Sequence, residues 1–101
     1  MNDIRMTHVS FTEICEQTGV AAGTVIEIIE QGIVDPIGVS PDDWHFSPYM
    51  VIITKKAVRM HRDLEINWAG IALAIELLEE IEEIREKNRC LQRRLDRFVD
   101  Q

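Results

Sequence analysis

Apolar residues recur at helical spacing in four segments of this chain, and one stretch between them alternates in the manner of strands. The first segment, residues 11–20, reads Phe-Thr-Glu-Ile-Cys-Glu-Gln-Thr-Gly-Val and predicts a short helix. Thr12 is placed to cap it, Glu13 suits its positive end, and Gly19 ends it in the left-handed conformation. Ile14 and Cys15 then face inward, with Glu13 and Glu16 outward. After the turn at residues 20–23, a second helix is expected from about Thr24 to Gln31, with Val25 and Ile28 inside and Gly32 closing it. Two short helices joined by a tight glycine-containing turn make a helix-turn-helix. The runs Ile33–Ile37 and Trp44–Phe46 alternate, and Gly38, Ser40, Pro41, Asp42 and Asp43 between them supply the turn of a small hairpin, a wing.

Ser47 followed by Pro48 is an N-cap with proline at the first helical position, and it opens a third helix reaching about Leu64. Its inner face is expected to hold Met50, Ile53, Ala57, Met60 and Leu64. Asn67 caps a fourth helix from Trp68 to about Phe98, roughly 45 Å long at the standard rise per residue. That exceeds what a small head can cover. Ala74, Ile81, Asn88 and Leu95 fall at one heptad position and Leu77, Ile84, Leu91 and Phe98 at the other, which predicts a coiled-coil seam. Glu76, Glu79, Glu80, Glu82, Glu83 and Glu86 come early in this helix, whereas Arg85, Lys87, Arg89, Arg93, Arg94 and Arg97 dominate its end. The order suits the helix dipole. Two such helices in parallel set acid against acid and base against base; antiparallel pairing matches opposite signs. An antiparallel homodimer is therefore expected, with Leu77, Ile81, Ile84, Asn88, Leu91, Leu95 and Phe98 at the interface and Asn88 fixing register at some cost in stability. The alternative is a monomer whose long helix folds back on its own head.

Length and composition fit this plan. With 101 residues, 46% of them hydrophobic and 29% charged, the chain is long enough for one domain with a core plus an extension. The expected division is a head over residues 1–66 and a coiled-coil dimerisation helix over residues 67–101. The opening Met-Asn-Asp-Ile-Arg-Met-Thr-His has no apolar signal segment, and the apolar stretch from Ile66 to Ile75 is far too short to span a bilayer, so a soluble cytoplasmic protein is expected. Cys15 and Cys90 lie far apart with no Cys or His at metal-ligand spacing, which predicts two reduced thiols, no metal and no cofactor.

The formal net charge of −7 is carried by one half. Residues 1–54 contain a single basic residue, Arg5, against Asp3, Glu13, Glu16, Glu27, Glu30, Asp35, Asp42 and Asp43; residues 55–101 hold ten basic and ten acidic residues. Nucleic-acid binding rests on Lys and Arg neutralising phosphates, and the second helix of a DNA-reading helix-turn-helix is expected to carry them outward. Here the outward residues include Glu27 and Glu30, the wing carries Asp42 and Asp43, and Ala21 offers no side-chain cap. The basic cluster Lys55, Lys56, Arg59 and Arg62 is the feature that speaks for nucleic acid. Pairing with acids of the head or of a partner subunit explains it more simply.

Several segments together resemble the MerR-like winged-helix family: Phe11-Thr12-Glu13-Ile14, Thr18-Gly19-Val20, Thr24-Val25, Gln31-Gly32-Ile33-Val34, Trp44-His45-Phe46 and the long terminal helix. Ala57-Val58-Arg59, Arg62-Asp63-Leu64, residues 67–72 (Asn-Trp-Ala-Gly-Ile-Ala) and residues 88–99 are similar to its chaperone-modulator branch, and the likeness runs over residues 8–100. The resemblance implies a mainly α-helical chain: a MerR-like winged helix-turn-helix head, a small β-hairpin wing and a long C-terminal coiled-coil helix. It also implies a function, inhibition by binding the J-domain of a DnaJ-like co-chaperone (CbpA type) so that the DnaK-type chaperone is no longer stimulated. Where DNA-binding members place Arg-Tyr-Tyr, this chain has Ile26-Glu27-Ile28.

On that reading Glu13, Glu16, Glu27, Glu30 and Asp35, with Ile26 as an apolar contact, form an acidic docking face for the basic surface of a J-domain. The plainer reading is that these acids only solvate the surface. A DNA-binding regulator and a coiled-coil adaptor with another partner stay open as alternatives. Catalysis is not indicated: His8, His45 and His61 are scattered over three elements, and Ser10, Ser40 and Ser47 sit at caps or turns without a His-Asp arrangement. Trp44 and Trp68 are expected to pack in core or hinge.

Overall fold

In the computed structural model, which describes residues 7–100, the chain enters the fold through a reciprocal cap. The Ser10 side chain accepts from the Glu13 N–H, and the Glu13 carboxylate accepts from the Ser10 N–H, both at 3.1 Å. This box starts α1 (Phe11–Thr18), so Ser10 and not Thr12 is the cap. Gly19, at φ 72°, ends the helix in the left-handed region as expected. The second helix, α2 (Ala22–Glu30), begins two residues before Thr24, and Ala21 gives it no side-chain cap. It closes in a Schellman turn: Gly32 N–H donates to Ile29 O (3.0 Å), and Ile33 N–H donates to Ile28 O (3.2 Å), with Gly32 at φ 76°. Asp3 and Arg5, which entered the charge balance, and the rest of the first six residues, on which the expectation of no signal segment rests, lie outside the described residues.

The wing is shorter than its alternation suggests. A single antiparallel bridge joins Ile37 to His45, with backbone hydrogen bonds of 3.0 and 2.9 Å. A short 3-10 turn, Pro41–Asp43, fills the tip. Gly38 makes the wing possible: at φ 127°, any Cβ there would meet the Asp43 carbonyl oxygen at 2.7 Å. The far arm then pairs with a strand the pattern did not predict: β1 (Val9–Ser10) runs antiparallel to β2 (His45–Phe46), Val9 opposite Phe46 and Ser10 opposite His45.

Ser47 caps α3 (Pro48–Leu64) by accepting from the Met50 N–H at 3.2 Å, and Asn67 caps α4 (Trp68–Val99) by accepting from the Gly70 N–H at 2.8 Å. Ile53 and Ala57 are buried as expected, and Met50 and Met60 pack at the core's edge. Leu64 does not join them; it lies exposed at the last turn, where Glu65 takes the left-handed conformation at φ 54°. Val51 and Thr54 also belong to the buried face, Thr54 returning its hydroxyl proton to Met50 O at 2.7 Å.

The core is assembled from all four helices and β2: Ile14 of α1, Val25 and Ile28 of α2, Phe46 of β2, Val51, Ile53 and Ala57 of α3, and Ile71 and Ile75 of α4, with Val34 from the segment after α2. The first two turns of α4 thus contribute to the head's core across the expected division at residues 66 and 67. Trp44 packs edge-on against Phe11 (centroids 5.7 Å apart, 69°), and Trp68 stacks on His61 (4.0 Å, 17°), which confirms their packing roles. No helix among the described residues is long and apolar enough to cross a membrane.

Candidate protein-docking site

On α2, Val25 and Ile28 turn into the core, which leaves Ile26, Glu27 and Glu30 on the opposite side at spacings of one, three and four residues. Both carboxylates are exposed, and Ile26 is half-buried beside them. Among the described residues none of Glu16, Glu27, Glu30 and Asp35 makes an ion pair or a side-chain hydrogen bond. Glu27 also lines a shallow groove with Thr18, Val20, Val58, Arg62 and Trp68, so its side of α2 faces the seam between the helix-turn-helix and the α3–α4 corner.

The expected acidic face is therefore present in unequal parts. Glu27, Glu30 and Ile26 share one helix side. Glu16 lies exposed on the outer side of α1, and Asp35 is exposed beyond the end of α2. Glu13 has a different job: its carboxylate is turned back onto the Ser10 N–H, at the end of α1 remote from the turn into α2. It holds a helix start.

The basic cluster on α3 leaves these acids alone. Lys55, Lys56 and Arg59 are exposed and form no ion pair among the described residues, so the expected pairing with acids of the head does not occur. Arg62 reaches its own neighbour Asp63 at 3.0 Å. Charge compensation is found on α4 instead, where Arg89 bonds Glu82 (3.2 Å) and Glu86, and Arg93 lies 3.7 Å from Glu86. The hydrogen bond from Arg89 holds the Glu86 carboxyl below the usual carboxylate range.

Two of the three histidines are neighbours, contrary to their expected scatter. His8 Nδ1 and His45 Nδ1 lie 2.7 Å apart across the β1–β2 pair, so one imidazole donates to the other. His61 is separate, donating from Nδ1 to Ile66 O at 2.8 Å. Among the described residues no group of three or more His, Cys, Asp or Glu is arranged to hold a metal ion. Burial pushes the Cys15 thiol above its ordinary value, Glu16 adding to the shift, so the thiolate is disfavoured there.

The expected dimer residues lie on α4 beyond the core. Ile71 and Ile75 point at the head; the stripe formed by Leu77, Ile81, Ile84, Leu91, Leu95 and Phe98 runs roughly a third of a turn away around the helix. Ile84, Leu91 and Phe98 are 65%, 61% and 79% exposed. The helix does not fold back on its own head. Sequence reasoning missed a second apolar feature: a groove of about 400 Å³ between α3 and α4, with exposed Tyr49, Ile52 and Leu78 along it. Its signal was faint, since Tyr49 and Ile52 fall off the inner-face spacing of α3.

Comparison with known proteins supplies the family. Residues 9–93 match the model of the family described as MerR HTH family regulatory protein. A chaperone modulatory protein CbpM from Pseudomonas putida strain F1 is 41% identical over 99 residues, covering 98% of each chain. One from Pseudomonas entomophila strain L48 is also 41% identical over 99 residues, with the same coverage. A protein of the same name from Escherichia coli O1:K1 / APEC is 36% identical over 90 residues, 89% of each chain. A fold built on a winged helix-turn-helix with an acidic second helix, together with this similarity along nearly its whole length, places the chain in the chaperone modulatory protein CbpM family, a member of the MerR-type helix-turn-helix regulators.

Proposed function

We propose that this chain modulates a chaperone by binding the J-domain of a DnaJ-like co-chaperone (CbpA type) in the cytoplasm. Occupying the J-domain's basic surface keeps it from stimulating the DnaK-type chaperone. The chain has no catalytic role on this reading; it acts by competition. One observation carries the proposal: the outward side of α2 presents Glu27 and Glu30 beside Ile26, and among the described residues no cation pairs with them. Such a surface repels phosphate and speeds the approach of a basic protein, and Ile26 adds an apolar contact. Glu16 and Asp35 extend the negative field. Glu13, tied into its cap, contributes charge at a distance.

Two arms of one titration test this. Purified co-chaperone with its J-domain should bind, and the same protein lacking the J-domain should not. Glu27→Arg with Glu30→Arg should weaken binding at least about tenfold, with the helical circular dichroism unchanged, and should restore stimulation of the DnaK-type ATPase. Affinity that survives the double reversal removes the α2 face from the reading. Retention of a DNA duplex at physiological salt favours a DNA-binding regulator instead.

The same reading includes an antiparallel homodimer through α4. It rests on the stripe from Leu77 to Phe98, which this chain leaves exposed and turned from its own head, and on the acid-then-base order of the helix. An adaptor that acts through the coiled coil alone would lose function when Ile81 and Ile84 become polar, and its head would bind no partner.

A further inference from the structure

The two adjoining histidines of the head carry chemistry that protein docking does not use. Ser10 stands opposite His45 in the β1–β2 pair, and His8, two residues before Ser10, projects from the same face, diagonally across from His45. His45 is held from both sides, because its strand pairs with β1 and its own N–H and carbonyl bond Ile37 across the wing at 2.9 and 3.0 Å. Val9 and Phe46, next to the two histidines in sequence, pack in the core, Phe46 wholly buried. Two half-buried imidazoles are thus presented by a fixed backbone, their Nδ1 atoms 2.7 Å apart and their rings inclined at 32°.

From this geometry we propose that His8 and His45 chelate one divalent transition-metal ion through their Nδ1 atoms, with nickel(II) or copper(II) fitting best and water completing the coordination. The bite selects the ion. With metal–nitrogen bonds of about 2.1 Å, two imidazoles at a right angle, as octahedral or tetragonal nickel and copper take them, stand about 2.9 Å apart. A tetrahedral ion such as zinc spreads them to roughly 3.4 Å. The observed separation lies nearer the right-angle value, so the rings need to open by about 0.2 Å only.

The ion takes the place of the hydrogen bond between the rings. Without metal, one imidazole carries its proton on Nδ1 and donates it to the other. When the ion takes both Nδ1 lone pairs, that proton leaves to water and the same ring takes one up at Nε2, so both imidazoles stay neutral and no net proton is released. Neither Nε2 makes a hydrogen bond among the described residues, so the site is open to the exchange. His61 stays apart, stacked on Trp68 and donating to Ile66 O. The bound ion clamps β1 to the wing, joining residues 37 positions apart, and stabilises the folded head over the unfolded chain.

Nickel chloride is the probe, added to the full, untagged chain with Cys15 and Cys90 replaced by Ser so that neither thiol competes. Calorimetry should give one site per chain; His8→Gln or His45→Gln should weaken it at least about tenfold with the helical circular dichroism unchanged, and His61→Gln should leave it intact. Saturating nickel should raise the urea midpoint of the parent and of neither weakened variant, whereas magnesium, which prefers oxygen donors, should not raise it at the same concentration. Nickel binding that survives replacement of both histidines overturns the site, as does an absence of binding up to about 1 mM. An equal midpoint shift with magnesium traces the effect to the chain's negative charge and overturns it too. Should either variant unfold, the parent still decides: substoichiometric paramagnetic nickel should broaden the ring resonances of His8 and His45 first, and equal broadening of His61 overturns the proposal. Because the probe is the metal alone, none of these outcomes bears on binding of a co-chaperone.

Discussion

The head and the free part of α4 use the same side chains to opposite ends. In the head, Ile14, Ile28, Phe46 and Ile71 are wholly buried, each reached by residues from other elements. Along α4 past Leu78, Ile84, Leu91, Leu95 and Phe98 are equally apolar and lie open to solvent. The difference lies in topology, not composition. The short elements before Leu64 fold against one another, whereas a single straight helix cannot cover its own stripe. Electrostatics is reversed between the two regions. The α4 acids Glu82 and Glu86 are answered by Arg89 and Arg93 within the helix, while Glu27 and Glu30 of the head have no ion-pair partner among the described residues. Each region thus satisfies one kind of interaction further than the other. The head has packed an apolar core and presents free charge on α2; the stem pairs Glu82 and Glu86 with Arg89 and Arg93 and presents a free apolar stripe. Two incomplete surfaces of different chemistry suit two different partners.

The largest expected effect separates packing in the two regions. Phe46→Ala should destabilise the fold by about 3–5 kcal/mol, because the ring is fully enclosed and its removal leaves a cavity in the core. That is a large share of the stability of a small domain. Phe98→Ala, followed by urea unfolding at a concentration where the chain is monomeric, should change stability by less than about 0.5 kcal/mol. Comparable losses from both would show that the end of α4 is packed on the head of its own chain.

How far the sequence discloses this division depends on the range of the interaction. Periodicity sufficed for α3 and α4, whose ends at Ser47-Pro48, Asn67 and Val99 carry their own local chemistry. It also placed Gly19 and Gly32, because a left-handed residue after a helix is a local requirement. The α1 cap was legible and misassigned: Ser10 and Glu13 stand at the capping-box spacing, but Thr12 offered a competing hydroxyl. Leu64 kept the helical spacing of the inner face after α3 had run past the elements it packs on. The pairing of Val9 with Phe46 and of His8 with His45 joins residues some 37 positions apart, and two-residue strands carry no period to detect. In the docking face, the sign of the charge was visible residue by residue. Which acids were free was not, since only the fold shows Glu13 turned onto the backbone of Ser10.

That distinction between a structural acid and a docking acid supplies the next test. Ser10→Ala should cost about 1 kcal/mol of stability by leaving a first-turn N–H of α1 without its acceptor. Glu13→Gln should cost less, since the amide oxygen still reaches the Ser10 N–H, and should leave affinity for the co-chaperone nearly unchanged. Glu27→Gln should do the reverse: stability held within about 0.5 kcal/mol, and binding weakened in a salt-dependent way. Denaturant unfolding and binding titration on the same three proteins give both readings. A Glu13→Gln variant that loses binding as fully as Glu27→Gln would merge the two classes of acid.

A smaller effect, of opposite sign, is expected at the corner joining the two regions. Glu65 ends α3 with φ at 54°, where a side chain is strained and glycine is not. Glu65→Gly should raise stability by about 0.5–1 kcal/mol, the relief of strain exceeding the added freedom of the unfolded chain. A loss of stability in the same unfolding experiment would mean that contacts of the Glu65 side chain outweigh its backbone strain.

The smallest expected effect marks where the head lets go of the stem. Among the described residues, the one side-chain hydrogen bond between α3 and α4 runs from the Tyr49 hydroxyl to the Glu79 carboxylate, at 2.6 Å. The bond needs the phenol protonated, and loss of that proton would set a phenolate against a carboxylate. The Tyr49 pKa is therefore raised above the ordinary phenol value, chiefly by this hydrogen bond, with desolvation and the charge of Glu79 adding to it. Since the folded value exceeds the unfolded one, the contribution to stability is complete below the ordinary phenol pKa and disappears as pH rises through the folded value. Tyr49 is the chain's single tyrosine, so tyrosinate absorbance reports it alone. Glu79→Gln should move the titration midpoint back toward the ordinary value. If wild type and variant titrate together, the bond is not held in solution, and the stem is released from the head before Glu79 rather than after it.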